Sequence, residues 1–414
     1  MATAAPPARR KGGYELAVLL LLTLGNGVVG FDRLTVAYLS PYIVADMALD
    51  NAQLGLLAAA LSGAIAFSAL FGGRLADITG RRKTILIACT LVFSLGSAAG
   101  GLATAFIALF LARAWVGLAE GPMVPVSQTI MAQTAAPERR GFAMGFAQMV
   151  GAFGIGGFLG PLVATQLAEV IGWRHTLFLT LLPGLLLALL IWLVLKPDQP
   201  RPTKAKRAPS LPFRQAVGTL LAARNIRVSL AVAATITAWL VLQNTFLAVY
   251  LTAEKGLTPT MAGSVISMGG LAAIIGGVGL PFLSDKLGRR PVMIWGSLAA
   301  VAAPVGLLFA PSDPVVLGAI ILAGWIPIGI GPLYCATVPT ESVSPVLAST
   351  AVGLVIGSAE LFGGVILPPI AGLIADNLGL ESVFYLCALL PLVAAVAALF
   401  LRETAPCIVA REES

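Results

Sequence analysis

Five ionisable side chains lie within long apolar stretches of this sequence: Asp32, Arg33, Arg113, Glu120 and Glu360. A charge at the centre of a lipid bilayer costs roughly 2.5–3.5 kcal/mol even on the lenient insertion scale. Such residues therefore face the interior of a helix bundle and pair with one another, or they line the path of an ion or substrate. Two interpretations are open at this point, a structural lattice of salt bridges and a site for ions or substrates.

The spacing of these residues predicts their arrangement. Arg113 and Glu120 are seven residues apart, which places them on one face of a helix about 10 Å apart along its axis. This separation is too long for a direct pair and suits two residues that line one cavity. Asp32 and Arg33 are adjacent and cannot point in the same direction, so we expect each of them to have a different partner.

Charge balance links anions to protons in this set. Asp32, Arg33, Arg113 and Glu120 have no net charge when all four are ionised, so a bound monoanion adds one negative charge to a buried site. Proton uptake by a carboxylate removes that charge, and anion and proton binding then favour each other. We therefore expect proton coupling at Asp32 and Glu120, with Glu360 as a third candidate.

Composition indicates that the elements holding these residues are membrane helices. Of 414 residues, 58% are hydrophobic and 11% charged, and the mean hydropathy is +0.94, whereas a soluble protein carries about 25% charged residues. An α-helix needs about 20 apolar residues to cross the bilayer, and lipid leaves the backbone of such segments no alternative to a helix. The sequence predicts an all-α membrane protein with twelve transmembrane helices, at Glu15–Pro41, Gln53–Gly72, Thr84–Thr104, Phe106–Ala132, Gly141–Ala168, Arg174–Leu195, Asn225–Thr252, Ala262–Leu283, Pro291–Ala310, Val315–Ala336, Ser349–Ala375 and Ser382–Leu401.

A repeat divides these helices into two halves. Asp77 and the Gly-Arg-Arg at 80–82 recur 208 positions later as Asp285 and the Gly-Arg-Arg at 288–290, and several other landmarks, such as Gly55 and Gly263, share that offset. We expect two pseudo-symmetric six-helix halves at residues 15–196 and 225–402. A basic, Pro-rich linker at 197–224 joins them, and tails occupy residues 1–14 and 403–414.

The distribution of basic residues predicts the orientation. With the N-terminus in the cytoplasm, 22 of the 26 Lys and Arg residues fall on the cytoplasmic side, as the positive-inside rule requires. The net charge of +7 therefore reflects topology, and we expect no nucleic-acid partner. We expect a multi-pass protein of the cell (inner) membrane with both termini cytoplasmic. The single His and the four Cys have no metal-site spacing, so we expect no metal and no cofactor beyond the coupling proton.

One charged stretch resembles a known family signature. Gly73-x-Leu75-Ala76-Asp77-x-x-Gly80-Arg81-Arg82 is similar to the loop between helices two and three of the major facilitator superfamily. Ile78 and Thr79 depart from the usual basic and aromatic residues of that loop. The resemblance implies the twelve-helix fold of that superfamily and a gating role for Gly73, Asp77, Gly80, Arg81 and Arg82, with Asp285, Arg289 and Arg290 as the second copy.

The buried charges resemble one branch of that superfamily. Asp32-Arg33 together with Arg113-x6-Glu120 is similar to the anion:cation symporters, which include sugar-acid/proton symporters, sialin and the vesicular glutamate transporters. This resemblance implies a proton-driven organic-anion carrier in which Arg33 and Arg113 receive the substrate carboxylate and Asp32 and Glu120 carry protons. For the rest of the substrate site we expect Tyr38, Gln243, Asn244 and Tyr334; ordinary contact between buried helices is the alternative role for these polar residues.

Other functions compete with this interpretation. Gly30-Phe31-Asp32 resembles the aromatic-acid/proton symporters, and the glycine-rich run that ends at Pro161 resembles a motif of drug/proton antiporters, although Ala164 and Thr165 replace its downstream glycines. A membrane enzyme would show a nucleophile–base pair, and a receptor would show a large soluble domain. We expect proton-coupled symport of a small organic anion, a sugar acid or other carboxylate, by alternating access of a monomer in the lipid bilayer.

Overall fold

The computed structural model describes residues 12–136, 139–198, 213–344, 347–406 and 408, and its side-chain description excludes positions 12, 70–74, 77, 140, 141 and 213. Within these ranges eleven helical stretches are long and apolar enough to cross a membrane. One of them, Phe142–Val194, has 53 residues and is divided at Gly172, whose φ is +81°. It supplies two crossings, and the predicted count of twelve helices is confirmed.

The twelve helices are numbered here in chain order. The first half contains α1 (Gly12–Tyr38), α2 (Asn51–Thr79), α3 (Arg82–Gly100), α4 (Phe106–Glu120 and Met123–Thr134), α5 (Arg140–Gln148, Met149–Leu159 and Gly160–Ile171) and α6 (Trp173–Leu179 and Leu181–Val194). The second half contains α7 (Arg224–Ala253), α8 (Pro259–Leu287), α9 (Arg289–Ala299 and Ala302–Phe309), α10 (Pro314–Trp325, Ile326–Ile330, Leu333–Thr337 and Val338–Glu341), α11 (Ala348–Ala359, Glu360–Ile366 and Leu367–Leu378) and α12 (Glu381–Leu399). Short helices at Ser40–Met47 and Phe213–Ala222 precede α2 and α7.

Helix α2 is longer than the sequence predicts. It begins at a capping box, in which the Asp50 carboxylate accepts the N–H of Gln53 at 2.6 Å and the Gln53 side chain accepts the N–H of Asp50 at 3.2 Å. It continues to Thr79 and ends where Gly80 adopts a φ of +69°. The stretch expected to be the loop between helices two and three is therefore mainly the last turns of α2. A glycine costs a helix only about 1 kcal/mol, and tertiary packing overrides that cost.

The predicted tails and linker are only partly described. Helix α1 begins at Gly12, three residues before the predicted Glu15, while residues 1–11, 199–212, 407 and 409–414 lie outside the described part of the chain. Inside the predicted linker, the short helix Phe213–Ala222 packs its buried Leu220 against Ile226 and Leu347 of the second half.

The two halves make close contacts at one end of the bundle. The end that carries Arg81, Lys83, Arg139, Lys196 and Arg289 is called the basic face, and the other end the opposite face. At the opposite face the Asp376 carboxylate of α11 accepts hydrogen bonds from the backbone N–H groups of Asn51 and Ala52, at 2.9 and 3.0 Å. These groups are at the N-terminus of α2, where a carboxylate is favoured, so this contact joins the halves.

Glycines bring the helix backbones together near the same end. A Cβ on Gly55 of α2 would overlap the carbonyl oxygen of Pro368 in α11, and a Cβ on Gly263 of α8 would lie 2.9 Å from the carbonyl oxygen of Pro161 in α5. Gly55 and Gly263 are equivalent in the repeat, so the two halves contact each other through a pair of pseudo-symmetric close approaches.

Candidate functional site

A cavity of about 250 Å³ lies between the two halves. Helices α1, α2, α4 and α5 of the first half and α7 and α11 of the second half line it. Most of its wall is aliphatic, with one aromatic ring, Phe153. Its polar lining residues are Asn26, Arg33, Ser62, Arg113, Gln148, Thr237, Asn244, Thr245 and Glu360. The volume is slightly below the ~300–1,000 Å³ of pockets for drug-sized ligands, so the cavity suits a small molecule.

Arg33 pairs with Glu120 at the wall of the cavity. Its Nε lies 3.1 Å from Glu120 Oε2, and the two side chains are 35% and 0% exposed. Glu120 Oε1 is buried without a hydrogen-bond partner among the described atoms. Arg33 therefore covers Glu120 and presents its own guanidinium to the cavity. This arrangement differs from the expectation that Arg113 and Glu120 line one cavity together, since only Arg113 lines it.

Arg113 is attached to the backbone of α1. Its Nη2 donates to the carbonyl oxygen of Arg33 at 2.6 Å, and its side chain is buried apart from the part that lines the cavity. Two guanidinium groups from adjacent helices thus meet on one side of the cavity. Arginine donors in this arrangement bind carboxylates through charge-assisted hydrogen bonds.

Asp32 lies behind this wall, inside the first half. It is 2% exposed, and neither carboxylate oxygen has a hydrogen-bond partner among the described atoms. The buried Ser97 hydroxyl, equally without a partner, lies in its neighbourhood. Adjacent helix residues point in different directions, as expected for Asp32 and Arg33. A buried carboxylate without partners is costly in its charged form, so Asp32 is a chemically suitable proton carrier.

The second half contributes Glu360 and Asn244 to the cavity wall. Glu360 is the first residue of a π-helical segment in α11, Glu360–Ile366, and α5 has a matching π-helical segment at Met149–Leu159. Such segments are frequent at functional sites. Among the described residues the Glu360 carboxylate has no hydrogen-bond or ion-pair partner, and Arg33 of the first half is near enough to interact with it electrostatically.

Three residues expected in the substrate site do not line this cavity. The Gln243 side-chain oxygen accepts the indole N–H of Trp325 at 3.0 Å, and the Tyr38 hydroxyl donates to the Gly156 carbonyl oxygen at 3.1 Å. Tyr334 is 6% exposed within the core of the second half. Each of these side chains contacts neighbouring helices in this structure.

Five polar lining residues were missed in the sequence: Asn26, Ser62, Gln148, Thr237 and Thr245. The repeat contains a signal for the last two, because the lining residues Val29 and Ala37 of α1 are equivalent to Thr237 and Thr245 of α7 at the 208-residue offset. Transposing the lining positions of one half onto the other identifies these two residues.

The expected gating residues have different surroundings in the two halves. Arg289 donates to Asp285 Oδ1 at 2.5 Å and to Glu341 Oε1 at 3.0 Å, while Arg290 donates to the carbonyl oxygen of Leu399 at 2.8 Å. Arg82 donates to Gln133 Oε1 at 2.9 Å. Gly80 and Arg81 form the turn between α2 and α3, and the side-chain positions of Gly73 and Asp77 lie outside the described part.

Two carboxylates cap helices at the basic face. Asp198 accepts the N–H groups of Lys83 and Thr84 at the start of α3, and Glu403 accepts the N–H groups of Arg289 and Arg290 at the start of α9. Both acids follow the last helix of their half, a position for which the sequence motif gives no signal.

The described part of the chain contains no cluster of three or more His, Cys, Asp or Glu side chains that could hold a metal ion. The arginines and carboxylates at the cavity can bind anions and exchange protons.

Comparison with known proteins matches the whole chain. A family model described as Major Facilitator Superfamily matches residues 22–358 and, in a second match, 228–413. The chain is 26% identical over 424 residues to the cis,cis-muconate transport protein of Acinetobacter baylyi, covering 95% of this chain and 94% of that protein. It is 32% identical over 179 residues to the 4-hydroxybenzoate transporter PcaK of Pseudomonas aeruginosa, covering 43% of this chain and 39% of that protein.

A solved structure has the same fold. The crystal structure of a bacterial homolog of the human lysosomal transporter Spinster, in an inward-facing and unoccupied conformation, superposes with a TM-score of 0.74. The match covers 94% of this chain and 96% of that chain at 21% identity. At this identity the likeness concerns the fold, which agrees with the two six-helix halves described above.

Proposed function

The chain belongs to the major facilitator superfamily, whose members are transporters and not enzymes. We propose that it performs proton-coupled symport of a small organic anion. The observation that carries the proposal is the pair of guanidinium groups, Arg33 and Arg113, at one wall of a small cavity between the halves. Both relatives named above are transporters of organic acids by their names, which supports a carboxylate as the substrate.

The pairing of Arg33 with Glu120 supplies a route to proton coupling. A substrate carboxylate that binds Arg33 competes with Glu120 for the same guanidinium. Glu120 then loses its hydrogen-bonded partner, and its other oxygen already has none. An unpaired buried carboxylate is costly, so proton uptake by Glu120 accompanies anion binding. Asp32 and Glu360 are further proton-accepting groups of the same region.

Proton and anion binding favour each other in this scheme, and the linkage is reciprocal. A substrate without its proton leaves an uncompensated charge in a closed cavity, which opposes the conformational change. With both bound, Asp32, Arg33, Arg113 and Glu120 together with the anion and its proton have no net charge, and the cavity can close. Rocking of the halves at 15–196 and 225–402 about the cavity then gives alternating access.

The positions of the basic residues support a membrane orientation. Under the positive-inside rule we propose that the basic face is cytoplasmic, with both termini in the cytoplasm and the protein in the cell (inner) membrane. Contacts at the opposite face, such as Asp376 with the start of α2, then correspond to a closed outer gate and an inward-facing arrangement. One chain forms the whole cavity, so we propose that the monomer is the working unit.

Uptake into proteoliposomes tests the proposal. Radiolabelled glucuronate, muconate and 4-hydroxybenzoate are offered with the interior alkaline, and we expect accumulation of at least one of them that an uncoupler abolishes. The panel separates sugar-acid from aromatic-acid transport. Uptake that is indifferent to both the pH gradient and the uncoupler contradicts symport. Export of a lipophilic cation driven by the same gradient, with no anion uptake, indicates drug/proton antiport instead.

A further inference from the structure

The repeat separates opposite charges onto the two walls of the cavity. At equivalent positions of α1 and α7, the lining residue is Arg33 in the first half and Val241 in the second. At equivalent positions of α5 and α11, it is Ala152 in the first half and Glu360 in the second. One wall therefore carries two guanidinium groups and the other a carboxylate.

We infer that Glu360, with Asn244 on the adjacent helix α7, binds the end of the substrate opposite its carboxylate and selects a neutral hydrogen-bond donor there over a second carboxylate. The inference rests on the proposed function, because it assumes that the carboxylate binds Arg33 and Arg113. It adds a specificity-determining residue and the substrate class of that site, a monocarboxylate with a hydroxyl or amino group at its far end.

The surroundings of Glu360 leave its carboxylate available to a ligand. No described residue bonds to it, whereas Glu120 and Glu341 both pair with arginines. A Cβ on Gly364 would lie 3.1 Å from Glu360 Oε2 and 2.7 Å from the Cβ of Ser62, so the glycine leaves room for the carboxylate where α11 meets α2. The Asn244 side chain likewise has no hydrogen bond to a described residue, and it lines the same cavity.

Most of the remaining wall of the cavity is apolar, and it includes Leu57 and Leu61 of α2, Phe153 of α5 and Leu240 of α7. A carboxylate acceptor makes a strong, charge-assisted hydrogen bond with a hydroxyl donor. A second carboxylate on the ligand meets a like charge in a low-dielectric cavity instead, which disfavours binding. The cavity thus matches a short ligand with an apolar middle and a donor at its far end.

Three benzoates that differ only at the far end of the ring test this selection. They are benzoate, 4-hydroxybenzoate and terephthalate, measured as competitors in equilibrium binding to the full-length protein at pH 8. We expect 4-hydroxybenzoate to bind at least tenfold more tightly than benzoate, and terephthalate at least tenfold more weakly. If the sugar acids bind and the benzoates do not, galacturonate and the dicarboxylate galactarate form the equivalent pair, with the same expected order.

The variant Glu360→Gln keeps the shape of the side chain and removes its charge. We expect the preference for the monocarboxylate over the matching dicarboxylate to fall at least fivefold. Glu381→Gln, at an exposed position at the start of α12, removes a charge of the same sign away from the cavity and should leave the preference as it is. A thermal melt verifies that both variants are folded.

The outcomes separate the inference from the proposed function. Wild-type protein that binds the dicarboxylate as tightly as the hydroxy acid overturns the inference without any variant. An unchanged preference in folded Glu360→Gln overturns it as well. If neither series binds and none of the three anions of the uptake panel accumulates in proteoliposomes, the proposed function itself has failed. If a series binds, uptake is proton-driven and the preference does not depend on Glu360, only the inference is lost.

Discussion

At equivalent positions of the repeat, the two halves carry very different side chains within their membrane-spanning helices. Arg113 and Glu120 of α4 correspond to Ile321 and Ile328 of α10, which are 0% and 9% exposed. The second half thus packs the same helix without the charges. Buried charges in a membrane are costly, and the second half packs without them, so the difference supports the proposed role of these charges in binding.

Other features are the same in both halves. A carboxylate that follows the sixth helix of each half caps the start of its third helix, through Asp198 in the first half and Glu403 in the second. Gly55 and Gly263 make equivalent close approaches between the halves. The features that both halves retain hold helices together, whereas the charged residues that only one half carries lie at the cavity or directly behind its wall.

Exchanging a residue for its counterpart in the other half is the strongest test. Arg113→Ile introduces the residue found at the equivalent position, Ile321, so we expect a folded protein with little change in melting temperature. Binding of the carboxylate substrate should weaken by 100-fold or more, because the variant loses a charge-assisted hydrogen-bond donor. Equilibrium binding to purified protein measures the effect.

The control is Arg290→Ala, at an exposed arginine of the basic face whose N–H groups bind Glu403 and Leu399. We expect it to leave the affinity within about twofold. Equal losses in both variants would mean that Arg113 acts through general charge and does not contact the substrate. Unfolding of Arg113→Ile would mean that the first half, unlike the second, needs the charge for its packing.

Sequence reasoning reaches most of the fold because the strongest constraints in a membrane are local. Segment length, apolarity and the positions of Arg and Lys predict twelve helices, and the repeat at 208 residues predicts two halves. The predicted end of α2, Gly72, lies seven residues before the observed end, Thr79. The consecutive glycines Gly72 and Gly73 suggested a break in the helix, but they remain helical in the packed structure. Helix ends depend on tertiary contacts that composition does not record.

The site is harder to predict because the rotation of each helix about its axis decides which residue faces the cavity. Gln243 and Asn244 are adjacent and equally polar, yet Gln243 contacts Trp325 while Asn244 lines the cavity. Neighbouring residues differ by about 100° around a helix, and composition does not give the rotation. The pairing of Arg33 with Glu120 also depends on the packing of α1 against α4.

Glu120→Gln tests the next difference between the halves, the buried carboxylate. This variant keeps hydrogen-bonding capacity and is permanently neutral, so the proton that accompanies the anion is in effect already present. We expect substrate binding to persist with little dependence on pH between pH 6 and 8, whereas wild-type binding should weaken as the pH rises. Uphill uptake should be lost, while exchange of labelled for unlabelled substrate should continue.

Asp32→Asn is the companion variant, because Asp32 is buried without a partner. The same pattern in both variants indicates two protons, and a nearly normal Asp32→Asn indicates one. Loss of binding and exchange together in folded Glu120→Gln would contradict proton coupling at Glu120. In that case Glu120 only positions Arg33, and the proton carrier is Asp32 or Glu360.

The smallest expected effect concerns the equivalent glycines Gly55 and Gly263, which differ only in the atoms that each glycine contacts. A Cβ on Gly55 would lie 2.2 Å from the backbone oxygen of Pro368, which cannot move without shifting α11. A Cβ on Gly263 would lie 2.4 Å from the Thr165 hydroxyl, which can rotate, and 2.9 Å from the backbone oxygen of Pro161, a milder backbone overlap. Overpacking typically costs about 1–3 kcal/mol, so Gly55→Ala should lower the melting temperature more than Gly263→Ala. Gly13→Ala, with open space around it, provides the baseline.

If Gly55→Ala and Gly263→Ala melt alike, the contacts of the two glycines adjust equally. If Gly55→Ala melts like the baseline, α2 and α11 are not in close contact at the opposite face in the protein's resting state. That result would also remove the support for a closed outer gate, because Asp376 could no longer reach the start of α2.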